Sequence, residues 1–228
     1  MNLDAIVENL PRYVDGALVT FELLIASLLI GLALAIPLAV LRTLPNQWLS
    51  RTVWAYTYVF RGTPMLVQLF LIYYGLGQFE WMQQSALWPL FSSAWFCACL
   101  TFVLNTGAYT TEIIAGSIRS LPHGEVEAAK SLGMTRWVML RRIVLPHALR
   151  RALPAYSNEV IFMLHGTALA SVVTIMDITG IARDINATYY IPFEAFITAA
   201  IFYFAMTLVL VGLFHQAEKR WLKPLMPR

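Results

Sequence analysis

Arg61, Glu112, Glu159 and His165 are ionisable side chains that fall in stretches otherwise rich in apolar residues. A charge at membrane depth is costly, so each needs either a partner or a hydrated path to line. A carboxylate on such a path favours a positively charged cargo. Glu159, with Asn158 beside it, and Glu112 are therefore candidates for a substrate path, as is His165. Each has a plainer alternative. His165 can be a core imidazole bonded to a neighbouring helix, and Glu112 a solvated carboxylate near the end of a span. Glu22, close to an interface, reads the same way as Glu112. Arg61 can snorkel or pair with an acid such as Glu112, fixing the bundle.

Other chemistries lack their residues. The four histidines, His123, His147, His165 and His215, are dispersed, without the spacing of a metal site or of a nucleophile and its base. Cys97 and Cys99, two apart in an apolar run, point roughly 200° away from each other on a helix, as inert packing residues do. "GEVEAAKS", residues 124–131, nearly matches the phosphate-cradling pattern, but Ala129 stands where the second glycine belongs. No strand precedes it, so neither a nucleotide nor a metal is expected on this chain.

The elements that hold these residues must be membrane helices. Of 228 residues, 59% are hydrophobic and 13% charged, and the mean hydropathy is +0.64. The N-terminus carries Asp4, Glu8 and Asp15 instead of a basic signal-peptide start, so the first span is expected to be retained. Requiring about 20 mostly apolar residues per crossing gives five spans, near 17–41, 53–77, 86–114, 155–176 and 195–214, in one transmembrane domain. Arg61, Gly62 and Pro64 interrupt the second, where a kink or broken helix is expected. Ser27, Gly31 and Ala35 bring small residues to one face of the first.

Orientation follows from sixteen Lys and Arg. With the N-terminus outside, one face holds Arg42, Arg51, Arg119, Lys130, Arg136, Arg141, Arg142, Arg150, Arg151, Lys219, Arg220, Lys223 and Arg228. The other keeps only Arg12 and Arg183. The positive-inside rule puts the first set, and the C-terminus, in the cytoplasm. Residues 76–92 have no Lys or Arg and offer Phe79, Trp81 and Trp88 to the outer interface. Asp177, Arg183, Asp184 and Glu194 fall in the outer loop after span four, either solvated or meeting a partner. Without an internal repeat, an odd number of spans reads as half of an assembly.

The cytoplasmic stretch 116–154 has the punctuation of two short helices. Pro122 opens the first and Gly133 caps its end; Thr135 caps the second, which Pro146 is expected to finish. Glu127, Lys130 and Ser131 fall on one side of the first helix, and Val126, Ala128, Ala129 and Leu132 on the other. Trp137, Met139, Leu140, Ile143 and Val144 make an apolar face on the second. Helices this short need a surface to pack on, whether the inner leaflet or a cytoplasmic partner.

Glu127, Ala128 and Ala129, then Gly133, then Ile143, Leu145 and Pro146 reproduce the spacing EAA, three residues, G, nine residues, I-x-L-P. This resembles the cytoplasmic loop of the membrane subunits of bacterial binding-protein-dependent ABC importers. "FRGTPMLVQLF", residues 60–70, resembles the second span of their polar amino-acid branch. "NEVIFMLHGTALASVV", residues 158–173, and "IARDIN", residues 181–186, are similar to M-type subunits of histidine/lysine/arginine/ornithine importers, and to arginine/ornithine and octopine/nopaline permeases. Many members of the branch carry Lys in place of His165, while basic-amino-acid members share the His.

The resemblance implies an all-α type I importer permease in the bacterial inner membrane, with five transmembrane helices, N-terminus outside and C-terminus inside. It implies a second homologous permease subunit, two ATPase subunits that hold ATP and Mg, and a periplasmic amino-acid-binding protein. Glu127, Ala128, Ala129, Gly133, Ile143, Leu145 and Pro146 would then form the ATPase-coupling loop, and the cargo would be basic L-amino acids. The rivals are a permease for another polar amino acid or an opine, an ion-coupled carrier or channel, which needs no docking loop, and a membrane-embedded enzyme.

Overall fold

In the computed structural model, which describes residues 3–222, a 41-residue helix runs along the protein, α1 (Leu3–Thr43). At 1.5 Å per residue it is about 60 Å long. It begins well before the expected start at 17. Ala5, Ile6, Asn9 and Tyr13 recur on one face and are buried, while Asp4, Glu8 and Asp15 point outward. That amphipathic spacing holds the helix together through the polar flank.

α2 (Gln47–Gly62) is capped by Asn46, whose Oδ1 accepts from Trp48 N–H at 3.0 Å. After Thr63 and Pro64 the chain turns by 103° into α3 (Met65–Phe70). A π turn (Leu71–Gly75) and a 3₁₀ turn (Leu76–Gln78) follow. The second span, where a kink or broken helix is expected at Arg61, Gly62 and Pro64, is two pieces at a steep angle. The short helices α4 (Glu80–Gln83) and α5 (Trp88–Phe91) lead to α6 (Ala94–Arg119). The third span was expected from 86, but Pro89 starts the separate α5, and Ser93 caps α6 through Phe96 N–H at 3.4 Å.

α6 is the centre of the bundle, packed chiefly on α1, then on α9 (Leu145–Gly166) and α2. Thr101, Asn105, Thr106, Thr110 and Thr111 are all buried along it. Ser27, Gly31 and Ala35 let α1 approach: a Cβ on Gly31 would stand 2.7 Å from Thr106 Cγ2. Cys97 and Cys99 are buried and free.

α7 (His123–Ser131) and α8 (Arg136–Met139) form the stretch after α6. The expected stop at Pro146 does not occur. α8 passes through a π turn (Leu140–Val144) directly into α9 (Leu145–Gly166), with Pro146 in the first turn. There proline's missing N–H is tolerated, and the π turn absorbs the irregularity. Helix thus begins well ahead of the expected fourth span at 155. It tightens into a 3₁₀ segment (Thr167–Val173) and ends at Thr174, whose φ of 71° is left-handed. α10 (Ile178–Tyr189) and α11 (Pro192–Trp221) complete the fold.

The segment expected as an outer loop after span four is not a solvated connection. Asp177 is fully buried and caps α10, accepting from Gly180 N–H at 2.8 Å and from Tyr203 Oη at 3.0 Å. Asp184 pairs with Arg12 of α1, Arg183 donates to the Ser171 carbonyl at 2.9 Å, and Glu194 is buried in the first turn of α11. Lys223 and Arg228 lie outside the described residues.

α1 and α11 are long and apolar enough to cross a membrane, and two bent pairs qualify if each is one span. α6 is not among these helices, because Thr101, Asn105, Thr110 and Thr111, all buried against protein, lower its mean hydropathy.

Candidate functional site

A cleft of about 330 Å³ lies among α3, α6 and α9, lined by Met65, Asn105, Tyr109, Glu159, Phe162 and Met163. Of the four path candidates only Glu159 reaches it. Its residue is 8% exposed, and it makes no ion pair among the described residues. Asn158 is exposed outside the cleft, as neighbouring residues on a helix diverge by about 100°. His165 is also exposed, its Nε2 3.2 Å from Thr207 Oγ1 of α11.

The break before α3 shapes the cleft. A broken helix leaves carbonyls without their usual donors, and these need partners away from water. Gln68 Nε2 donates to the Phe60 carbonyl at 2.8 Å, the Thr63 carbonyl at 3.0 Å and Thr63 Oγ1 at 2.7 Å. Asn105 Nδ2 donates to Phe60 O at 3.2 Å and to Gln68 Oε1 at 3.1 Å, tying the break to α6. Pro64 occupies the corner. A Cβ on Gly62 would meet nothing within 4 Å and its backbone is not left-handed, so neither packing nor φ calls for glycine there.

Arg61 sits over the Tyr109 ring, 5.2 Å from its centroid, at the cleft's edge. It does not pair with Glu112. That carboxylate is taken by Arg42 Nε at 2.9 Å and Thr57 Oγ1 at 2.8 Å, and Arg42 also donates to Ser50 Oγ at 2.9 Å. Four residues thereby join α1, α2 and α6, and Glu112 faces a separate hollow beside Trp54, Tyr58 and Arg61. Asn105, Tyr109 and Gln68 escaped the sequence reading because uncharged polar residues in a span read as ordinary packing. The proline and glycine nearby, which leave carbonyls to be satisfied, were the available signal.

At the other end of α9 the α7–α8 corner projects. Gly133 adopts φ +72°, its N–H donating to Lys130 O at 2.9 Å and the Met134 N–H to Ala129 O at 3.1 Å. This is the paired-bond ending that left-handed glycine permits. Thr135 Oγ1 caps α8 through Val138 N–H at 3.4 Å. Ala129 is buried within the chain, whereas Glu127 and Ala128 are exposed. Leu132, expected on the packed side, is 80% exposed, and Trp137 67%. Ile143, Leu145 and Pro146 are half-buried at the root of α9. His147 Nδ1 lies 2.7 Å from Glu125 Oε2, clamping α7 to α9. Among the described residues no group of three or more His, Cys, Asp or Glu could hold a metal.

Residues 27–223 match the family described as binding-protein-dependent transport system inner membrane component. The histidine/lysine/arginine/ornithine transport system permease protein HisM of Escherichia coli (strain K12) is 51% identical over 213 residues, 93% of this chain and 90% of that protein. The nopaline transport system permease protein NocM of Agrobacterium fabrum (strain C58) is 44% identical, covering 98% of this chain and 93% of that one. Among solved structures, a chain from the crystal structure of an amino acid ABC transporter with histidines superposes with a TM-score of 0.85 at 33% identity. That match covers 96% of this chain and 99% of the other. The chain belongs to the inner membrane components of binding-protein-dependent transport systems and has the type I ABC importer permease fold.

Proposed function

We propose that this permease subunit passes basic L-amino acids of the histidine, lysine, arginine and ornithine class into the cytoplasm, driven by ATP hydrolysis on separate subunits. The relative at 51% identity carries that class in its name. The observation that carries the reading here is Glu159, a buried carboxylate that makes no ion pair among the described residues and feels Arg61 only from a distance, in a cleft of amino-acid size. An ammonium or guanidinium group supplies the missing charge, while Met65, Phe162 and Met163 accommodate an aliphatic stem. Glu112 is engaged by Arg42 and serves the bundle; His165 faces outward, where an adjoining subunit can meet it.

Phe162, 72% exposed, leaves one side of the cleft open. A second, homologous permease closing it makes a heterodimer. The whole chain, 1–228, is one transmembrane domain of five spans, N-terminus outside and C-terminus inside. The basic residues clustered at one end support that orientation. Two ATPase subunits, which hold ATP and Mg, and a periplasmic amino-acid-binding protein complete the assembly.

The corner of α7 and α8 couples the two activities. Glu127 and Ala128 are presented to the ATPase, Gly133 sets the angle, and Ile143, Leu145 and Pro146 root the corner in α9. Because α8 runs into α9 without a break, a push on the corner turns the helix that carries Glu159.

The test is to purify the complex with its partner subunits and measure binding-protein-stimulated ATPase activity across a panel of amino acids. Arginine, lysine, histidine and ornithine should stimulate. Glu159→Gln should lower their transport about 10- to 100-fold, the strength of one charged hydrogen bond. Stimulation by acidic or apolar amino acids alone would overturn the substrate assignment.

A further inference from the structure

The pocket between the root of α9 and the end of α11 has no part in the cleft or in the α7–α8 corner's exposed face. It has a volume of about 530 Å³ and is lined by Pro146, Leu149, Arg150, Arg220 and Trp221. We propose that it binds the phosphodiester headgroup of an anionic phospholipid from the inner leaflet. The proposal rests on the orientation given above, with this end of the bundle in the cytoplasm.

Two guanidinium groups from different helices converge on one hollow. Neither has an acidic partner among the described residues. Like charges brought together without a counter-ion repel, so the arrangement favours an anion between them. Guanidinium groups match phosphate oxygens through paired donors. The flanking acids do not compete. Glu159, nine residues on from Arg150, lines the cleft instead; Glu125 is held by His147 at 2.7 Å; and Glu218, two residues from Arg220, lies roughly 200° around the helix.

The remaining walls select a lipid over a free anion. α11 is apolar for most of its length and ends in this pocket, so the site sits where a membrane-crossing helix leaves the hydrocarbon. Trp221, 54% exposed, is placed as an interfacial anchor, and Leu149, 37% exposed, offers an apolar wall for the start of an acyl chain. Basic pockets between helices at this depth are suited to anionic headgroups.

The purified complex, reconstituted in phosphatidylcholine nanodiscs with a minor fraction of phosphatidylglycerol, tests this by the ratio of the two lipids that stay bound after extraction, read by native mass spectrometry. Wild type should retain phosphatidylglycerol preferentially. R150Q and R220Q should each lower the preference about fivefold, and together about thirtyfold, from the usual strength of one basic group at an anionic surface. The R150K/R220K variant should keep most of it. Equal retention of both lipids by wild type, as when another subunit covers the pocket, would overturn the proposal. So would an unchanged ratio in R150Q/R220Q, or displacement of the lipid by millimolar inorganic phosphate. Amino-acid-stimulated ATPase activity, measured on the same preparations, separates the two readings. Its absence from wild type refutes the transport assignment and leaves the lipid ratio interpretable.

Discussion

Gly133 is the position where a small change should separate folding from coupling. Its φ of +72° is a conformation that an L-residue adopts at a cost of about 1–2 kcal/mol. A Cβ there would meet nothing within 4 Å, so that cost is conformational and contains no clash. Gly133→Ala should therefore destabilise the α7–α8 corner by about 1–2 kcal/mol, a factor of roughly 5 to 30 in its population. Gly133→Val should cost more, because a β-branched residue is a genuine outlier at positive φ. Gly133→Asn should cost least, since Asn visits this region. The corner is exposed and packs little, so the melting temperature of the complex should hardly move. Binding-protein-stimulated ATPase activity and transport in proteoliposomes should fall in the order Asn, Ala, Val, with Glu127→Ala as a second probe of the same surface. Wild-type coupling in Gly133→Val, or equal loss in Asn and Val, would refute the reasoning.

Three further substitutions probe the frame. Gln68→Leu removes the tie between the break before α3 and Asn105 of α6, leaving the buried Asn105 amide with only the Phe60 carbonyl, and the Thr63 carbonyl to water; about 1–3 kcal/mol should be lost, seen as a lower melting temperature. Arg42→Met should cost about 1.5–3 kcal/mol by stranding Glu112, and adding Glu112→Met should restore much of it; a double variant as unstable as the sum of the singles would contradict the pairing. Gly31→Ala should cost about 1–3 kcal/mol by pressing on Thr106 where α1 meets α6, whereas Gly212→Ala, with nothing within 4 Å, should be stable in the same thermal assay.

What was legible in the sequence was whatever has a local cause. Gly133 and Thr135 announce a helix end and a helix start through backbone and side-chain chemistry confined to a few residues, and both act so in the fold. Gly31 lies at a close approach of α1 to α6, on the face its spacing with Ser27 and Ala35 indicated. Pro146 misled because a proline that ends one helix and one that opens the next look alike until the π turn before it is seen. The N-terminal flank misled because three acids outweigh Ile6 and Tyr13 in any average, though they lie on another face. Arg61 and Glu112 were matched on charge alone; which arginine reaches the acid depends on the packing of α1 against α6, and Arg42 does.

The polarity of α6 has a consequence for how the protein is made. A helix with Asn105, Thr110, Thr111 and Glu112 along its length partitions poorly into lipid by itself, since polar groups in hydrocarbon each carry a penalty. Synthesis from the N-terminus supplies α1 and α2 first, and these offer the groove of small residues and the Arg42 and Thr57 partners that α6 requires. On the five-span topology proposed above, membrane insertion and tertiary assembly would thus be a single event for this helix. A defect in the α1 face should accordingly appear as α6 left outside the bilayer, and the quality-control machinery would meet the fault before any question of transport arises.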